Sequence, residues 1–135
     1  MPTLSNPTLQ IQLDSTNNAK RKLTATVNVT FSANEQAAMQ ALGSKHTLRC
    51  RIWGKDEGED SGLNGGNDDL FQLDDAQLIN TNGVKMFTDS VLSEKLDEDD
   101  QFQDEIIARF TCLPGGKMTF SPSTSVNSPK VSGNF

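Results

Sequence analysis

The stretch "KLTATVNVTF", Lys22 to Phe31, constrains the fold more than any other part of the chain. Leu23, Ala25, Val27, Val29 and Phe31 fall on one side of it, and Thr24, Thr26, Asn28 and Thr30 on the other. Side chains of extended backbone alternate between two faces, so a period of two held this long marks an antiparallel strand with one face in a core and one in water. Such a face needs a second apolar layer to cover it. Three further segments supply the same pattern. "TLQIQL" alternates Leu9, Ile11 and Leu13, "HTLRCRIWG" turns Leu48, Cys50 and Ile52 inward, and "EIIARFTCL" aligns Ile106, Ala108, Phe110 and Cys112.

Shorter signals fill the gaps. "DLFQL" and "AQLIN" read as short strands, "KMTF" as a short edge strand, and Asn82-Gly83 as a turn. "DSTNNAKRK", rich in Asp, Asn and Ser, reads as the connection of the first hairpin, with Lys20 to Lys22 in the turn. One helix is signalled. Ser32 and Glu35 stand as a capping box, Phe31 precedes the cap as a staple, and Gly43 is placed to close the C-terminus. Ala38, Met39 and Leu42 give this helix, laid across the end of a sandwich, a short apolar stripe.

These elements predict a mainly all-β chain: an antiparallel β-sandwich of about seven short strands with one short capped α-helix. A length of 135 residues fits one domain. The sandwich is expected over 1–120. Residues 121–135 contain five Ser and no acid, and are expected to be a Ser/Pro-rich tail.

Charge is unevenly spread. Lys55 to Glu105 holds 16 acidic and 3 basic residues, a net of −13, while the rest of the chain is +7 and the whole −6. An acidic balance argues against nucleic acid and anionic membrane as partners. No apolar run approaches the roughly 18 residues of a membrane span. The N-terminus lacks a basic segment followed by an apolar one, so no secretory signal is read and a cytoplasmic location is expected. Cys50 and Cys112 have neither metal-ligand nor redox spacing. They read as small hydrophobes within strands, with a disulfide between them as the alternative in an oxidising compartment.

Catalytic signals are sparse. There is one histidine, His46, no tyrosine, and no Gly-x-Ser-x-Gly, phosphate-loop or His-Glu-x-x-His motif, so enzymatic activity is not expected. What stands out instead is two acid-rich stretches, "KDEGEDSGLNGGNDD" and "LDEDDQFQDE". The first occupies a connection longer than most in a compact domain. Crowded carboxylates either remain solvated and keep a sandwich soluble, or serve as oxygen ligands of a divalent cation such as Ca2+.

A resemblance bears on the second option. "LDEDDQFQDEIIARFTCLP" resembles the third calcium loop of C2 domains, where an Asp-x-Asp leads to another acid, an apolar strand and a proline-terminated turn. The resemblance implies Asp97, Asp99 and Asp104 or Glu105 as calcium ligands. "GGNDDLFQL" resembles another C2 calcium loop, which adds Asp68 and Asp69. "GGNDDL" is also similar to one unit of the Gly/Asp-rich nonapeptide of calcium-binding β-rolls, a motif that works in tandem.

The function expected from the residues is a non-enzymatic binding or structural module that interacts through acidic loops at one end. Trp53, on the outward face at the mouth of the first loop, and Asp56, Glu57 and Asp60 within it are the expected partner contacts. The alternative is a C2-like calcium-binding module with ligands in 56–69 and 97–105. An acidic end and a basic end on one sandwich would favour a protein partner or head-to-tail contacts between copies.

Overall fold

The computed structural model describes residues 2–55, 67–96, 104–115 and 123–133, with backbone alone for Lys55, Asn67, Asp68 and Asp104. Strands β1 (Thr3–Asp14) and β2 (Asn17–Thr30) form a hairpin, and β6 (Gly83–Leu92) pairs with the far side of β2 to complete a three-stranded sheet. The second sheet is built on β3 (His46–Lys55) and β7 (Asp104–Leu113). Two short strands, β4 (Asn67–Gln72) and β5 (Gln77–Ile79), share the free side of β3; two more, β8 (Thr124–Asn127) and β9 (Val131–Gly133), share the free side of β7. Helix α1 (Ala33–Leu42) joins β2 to β3, and a 3-10 turn, Ser93–Lys95, follows β6. All ladders are antiparallel, so the expected sandwich forms, with nine strands among the described residues.

The inward faces are those the alternation marks. Leu23, Ala25, Val27 and Val29 of β2, Leu48, Cys50 and Ile52 of β3, and Ile106, Ala108, Phe110 and Cys112 of β7 are all buried. Phe87 of β6 meets Phe110 of β7 across the sheets, ring centroids 6.1 Å apart and tilted by 53°. That is an edge-to-face type of contact that adds to the area both rings bury. Along β1 the burial fades: Leu9 is buried, Ile11 partly so, and Leu13 is 65% exposed. The hairpin therefore runs past the core, and its tip is tied locally by Thr16, whose amide and hydroxyl donate to Asp14 Oδ1 at 2.9 and 2.7 Å.

The helix has the expected ends. Glu35 N–H donates to Ser32 Oγ, and Ser32 N–H to Glu35 Oε1, at 3.1 and 3.0 Å. Gly43 adopts φ 63°, the left-handed conformation that suits glycine, and lets the amides of Gly43 and Ser44 reach the carbonyls of Gln40 and Met39. Phe31 and Met39 are buried, but Leu42 of the expected stripe is exposed. Of the ten helical residues only Met39 is buried, and Leu42, three positions on, stays at the surface.

Three expectations are corrected. Lys20 to Lys22 lie in β2, opposite Leu92 to Ser90, because the hairpin turn is confined to two residues. Asn82-Gly83 is no hairpin turn: β5 pairs with β3 and β6 with β2, so this stretch crosses between sheets, and Asn82 Oδ1 accepts from Phe31 N–H at 2.7 Å. Within the stretch expected to be a tail, β8 and β9 pair with β7 as part of the second sheet. Ser/Pro composition masked these strands because their stability comes from a partner distant in sequence. "KMTF" lies outside the described residues.

Both outer columns of the second sheet are interrupted, and one residue closes each gap. Leu73 N–H donates to Cys50 O at 2.8 Å between β4 and β5. Between β8 and β9, Ser128 N–H donates to Ala108 O at 2.8 Å while Ala108 N–H donates to Ser128 Oγ at 2.9 Å. Without the hydroxyl, a buried amide would lose its partner, which typically costs about 1–3 kcal/mol. Ser128→Ala is therefore expected to lower unfolding free energy by about that amount in denaturant titration, with Ser128→Thr retaining more of it.

Candidate functional site

Both acid-rich stretches are rooted on adjacent strand ends. The first leaves β3 at Lys55 and returns at Asn67, which pair with each other; the second enters β7 at Asp104. Gly54 is flanked by Asp68 on one side and Ile106 on the other, so the three strand termini form one edge of the sheet. The residues between, including Asp56, Glu57, Asp60, Asp97 and Asp99, lie outside the described residues. Lys20 pairs with Leu92, four residues before Leu96, from which the second stretch departs.

The outer face of the second sheet carries the described polar groups nearest these roots. A bulge after Ile52 resets the β3–β4 register, and Trp53 emerges on the outward face, partly exposed, opposite Asp69 on one side and Ile107 on the other. Arg109 lies over the Trp53 ring, 5.7 Å from its centroid, close enough for a cation–π contact. Arg51 is directly opposite Arg109 across β3 and β7, and Arg49 is two residues earlier on the same face. Arg51 Nε donates to both oxygens of Asp69, at 2.8 and 2.9 Å. Glu105 faces Lys130, with Oε1 and Nζ 3.5 Å apart. Trp53 Nε1 and Glu105 Oε2 are both buried without a hydrogen-bond partner.

Of the six carboxylates expected as metal ligands, then, Asp69 and Glu105 have described side chains, and each faces a cation of its own sheet. Asp68 and Asp104 sit on the shared strand edge by backbone, and no group of three metal-ligating side chains occurs among the described residues. The outward placement of Trp53 follows the alternation. The facing pair Arg51 and Arg109 was not foreseen, because it depends on β3–β7 register, for which a single sequence carries no local signal.

The histidine and the two cysteines are sequestered in the core. Cys50 and Cys112 are free thiols in the core, two positions out of register with each other, and burial pushes their pKa values to about 12 and about 11. Thiols so protonated are poor nucleophiles. His46 is fully buried under α1, its Nδ1 3.2 Å from Met39 Sδ and its ring 5.1 Å from that of Phe31. Its Nε2 has no partner. Burial pulls the imidazole below its ordinary 6.5, against the opposing pull of Glu35. No helix among the described residues is long and apolar enough to cross a membrane.

Comparison with protein-family models, with curated proteins and with solved structures finds no match for this chain.

The burial of His46 and of the two cysteines has two measurable consequences. Because His46 has a depressed pKa when folded, the unfolded chain takes up its proton first. Stability is then unaffected well above pH 6.5 and falls as pH drops below it, by up to about 1.4 kcal/mol per pH unit until the folded ring titrates. Unfolding curves between neutral and mildly acidic pH should show this slope, and His46→Leu should flatten it. Separately, a thiol reagent such as dithionitrobenzoate should leave both cysteines unmodified in the native protein and modify both on denaturation.

Proposed function

We propose that the chain is a non-enzymatic binding and assembly module that engages a protein partner at the end of the sandwich where the acid-rich stretches are rooted. The observation that carries this reading is the convergence of Lys55, Asn67 and Asp104 on one sheet edge beside Trp53 and Arg109. Rigid paired strands hold an aromatic ring and a guanidinium together next to a concentrated negative charge. Trp and Arg are the side chains that most often dominate binding energy at protein interfaces. The sequestered His46, Cys50 and Cys112 support a role without covalent chemistry. Two free buried thiols also fit a reducing, cytoplasmic setting.

A second reading follows from the same convergence. Carboxylates from two stretches rooted on adjacent strand ends are the kind of oxygen-rich environment that Ca2+ uses. In this reading Asp97, Asp99 and Asp104 ligate the ion, with Asp68 contributing from β4, on the other side of β3 from Asp104.

The partner reading is tested by affinity capture from an extract of the native cells, comparing the wild-type chain with Trp53→Ala and Arg109→Ala variants of unchanged circular dichroism. Interface anchors of this type are expected to weaken a captured partner by about 2 kcal/mol, roughly thirtyfold in Kd. Identical captures would remove Trp53 and Arg109 from the interaction surface. The calcium reading is tested by thermal unfolding in EDTA, Mg2+ and Ca2+ at fixed ionic strength. An ion at a hundred times its Kd should add about 2.7 kcal/mol, several degrees in Tm, and Asp97→Asn with Asp99→Asn should abolish the rise. Coincident curves would eliminate the site.

A further inference from the structure

We infer that the arginine-bearing outer face of the second sheet is a carboxylate-binding surface whose occupant is the acid-rich segment 94–105 of a second copy of this chain. The inference rests on the assembly reading and names its partner.

One arrangement on this face costs stability. Arg51 and Arg109 stand directly opposite each other on adjacent strands, and like charges so placed destabilise a sheet. Arg49 adds a third guanidinium on that face, opposite Thr111. Asp69 offsets Arg51, while the Trp53 ring accommodates Arg109 without accepting hydrogen bonds in the guanidinium plane. Among the described residues neither Arg49 nor Arg109 forms an ion pair, and both are exposed. Each therefore presents planar N–H donors, the geometry that grips a carboxylate through two parallel hydrogen bonds. Uncharged hydrogen-bonding groups surround them: Thr47 precedes Arg49 on the face, Thr111 is bonded to Ser125 at 3.1 Å, and Asn127 pairs with Arg109. The two described acids of this face, Asp69 and Glu105, already face cations.

The complementary chemistry is in the chain itself. Residues 94–105 carry seven carboxylates and one lysine, and of these acids only Glu105 is described as facing a cation of its own chain. Two copies, each with net charge −6, repel at long range. At about 0.15 M salt that repulsion is screened beyond roughly 8 Å, and the local pairing of carboxylates with arginines decides the outcome. Such a contact joins one patch to a different patch, so it closes as a reciprocal two-fold pair or propagates head to tail.

A charge-exchange experiment on the full-length chain tests this, using sedimentation equilibrium across a concentration series at about 0.15 M salt. The wild type is expected to self-associate. Arg49→Glu with Arg109→Glu should weaken that at least tenfold, as should Asp97→Lys with Asp99→Lys and Asp100→Lys in a separate preparation. An equimolar mixture of the two should associate again, since each then offers the other an opposite charge. Arg49→Gln with Arg109→Gln, which removes charge without reversing it, should also weaken association and serves if a reversed variant fails to fold. A wild type that stays monomeric, variants that associate as the wild type does, or a mixture that stays apart would each overturn the inference. A monomeric wild type that still captures another protein through Trp53 and Arg109 removes only the second copy as partner; failure of both experiments removes the assembly reading itself.

Discussion

Phe87 against Phe110 is the contact on which the sandwich depends. Each ring is fully buried, each belongs to a different sheet, and no covalent link joins the sheets among the described residues. Ala25 is beside Phe87 in one ladder and Cys50 beside Phe110 in the other, so small residues make room for the two large ones. Interiors close-pack in this way because any void forfeits dispersion contacts with no return from water. The outer face of β3 and β7 inherits its geometry from this packing, since fixing the inward side chains fixes the alternate ones. Trp53, Arg51 and Arg109 are therefore placed by the core beneath them.

The margins of the two sheets are managed differently. The second sheet breaks each outer column into two short strands, and Leu73 and Ser128 keep the ladder bonds satisfied where the chain kinks. On the first sheet, the open side of β6 is covered by side chains. Gln77 Nε2 donates to Met86 O at 2.7 Å, and Asp74, itself in a left-handed conformation at φ 60°, accepts from Thr88 N–H at 3.3 Å. Short strands and polar side chains at an edge discourage pairing with another chain.

Much of this fold is legible in the residues because its signals are local. The period of two in β2, β3 and β7 and the Ser32–Glu35 box each need a window of only a few residues, and each forms as read. What escapes is whatever depends on a distant partner. β8 is four residues and β9 three, too short to show periodicity, and they exist because β7 offers unpaired backbone. Lys20 to Lys22 look like a turn by composition, yet β6 recruits them into a ladder. The candidate surface divides along the same line. Trp53 faces outward by simple alternation, whereas the opposition of Arg51 and Arg109 is a property of register between strands far apart in the chain. The acidic residues announced themselves by density, which reports charge without reporting geometry.

The ladder between β3 and β7 has a further consequence, and it concerns time. Cys50 meets Phe110 and Ile52 meets Ala108, so the central pairing of the second sheet joins residues more than fifty positions apart. Pairings so remote must close a large loop before any contact rewards them, which places all-β chains of this kind among the slow folders. During that wait β7 is an apolar, β-prone segment without its partner. The run of carboxylates immediately ahead of it then acts as a gatekeeper, because charge flanking such a segment discourages it from pairing with the same segment of a neighbouring molecule.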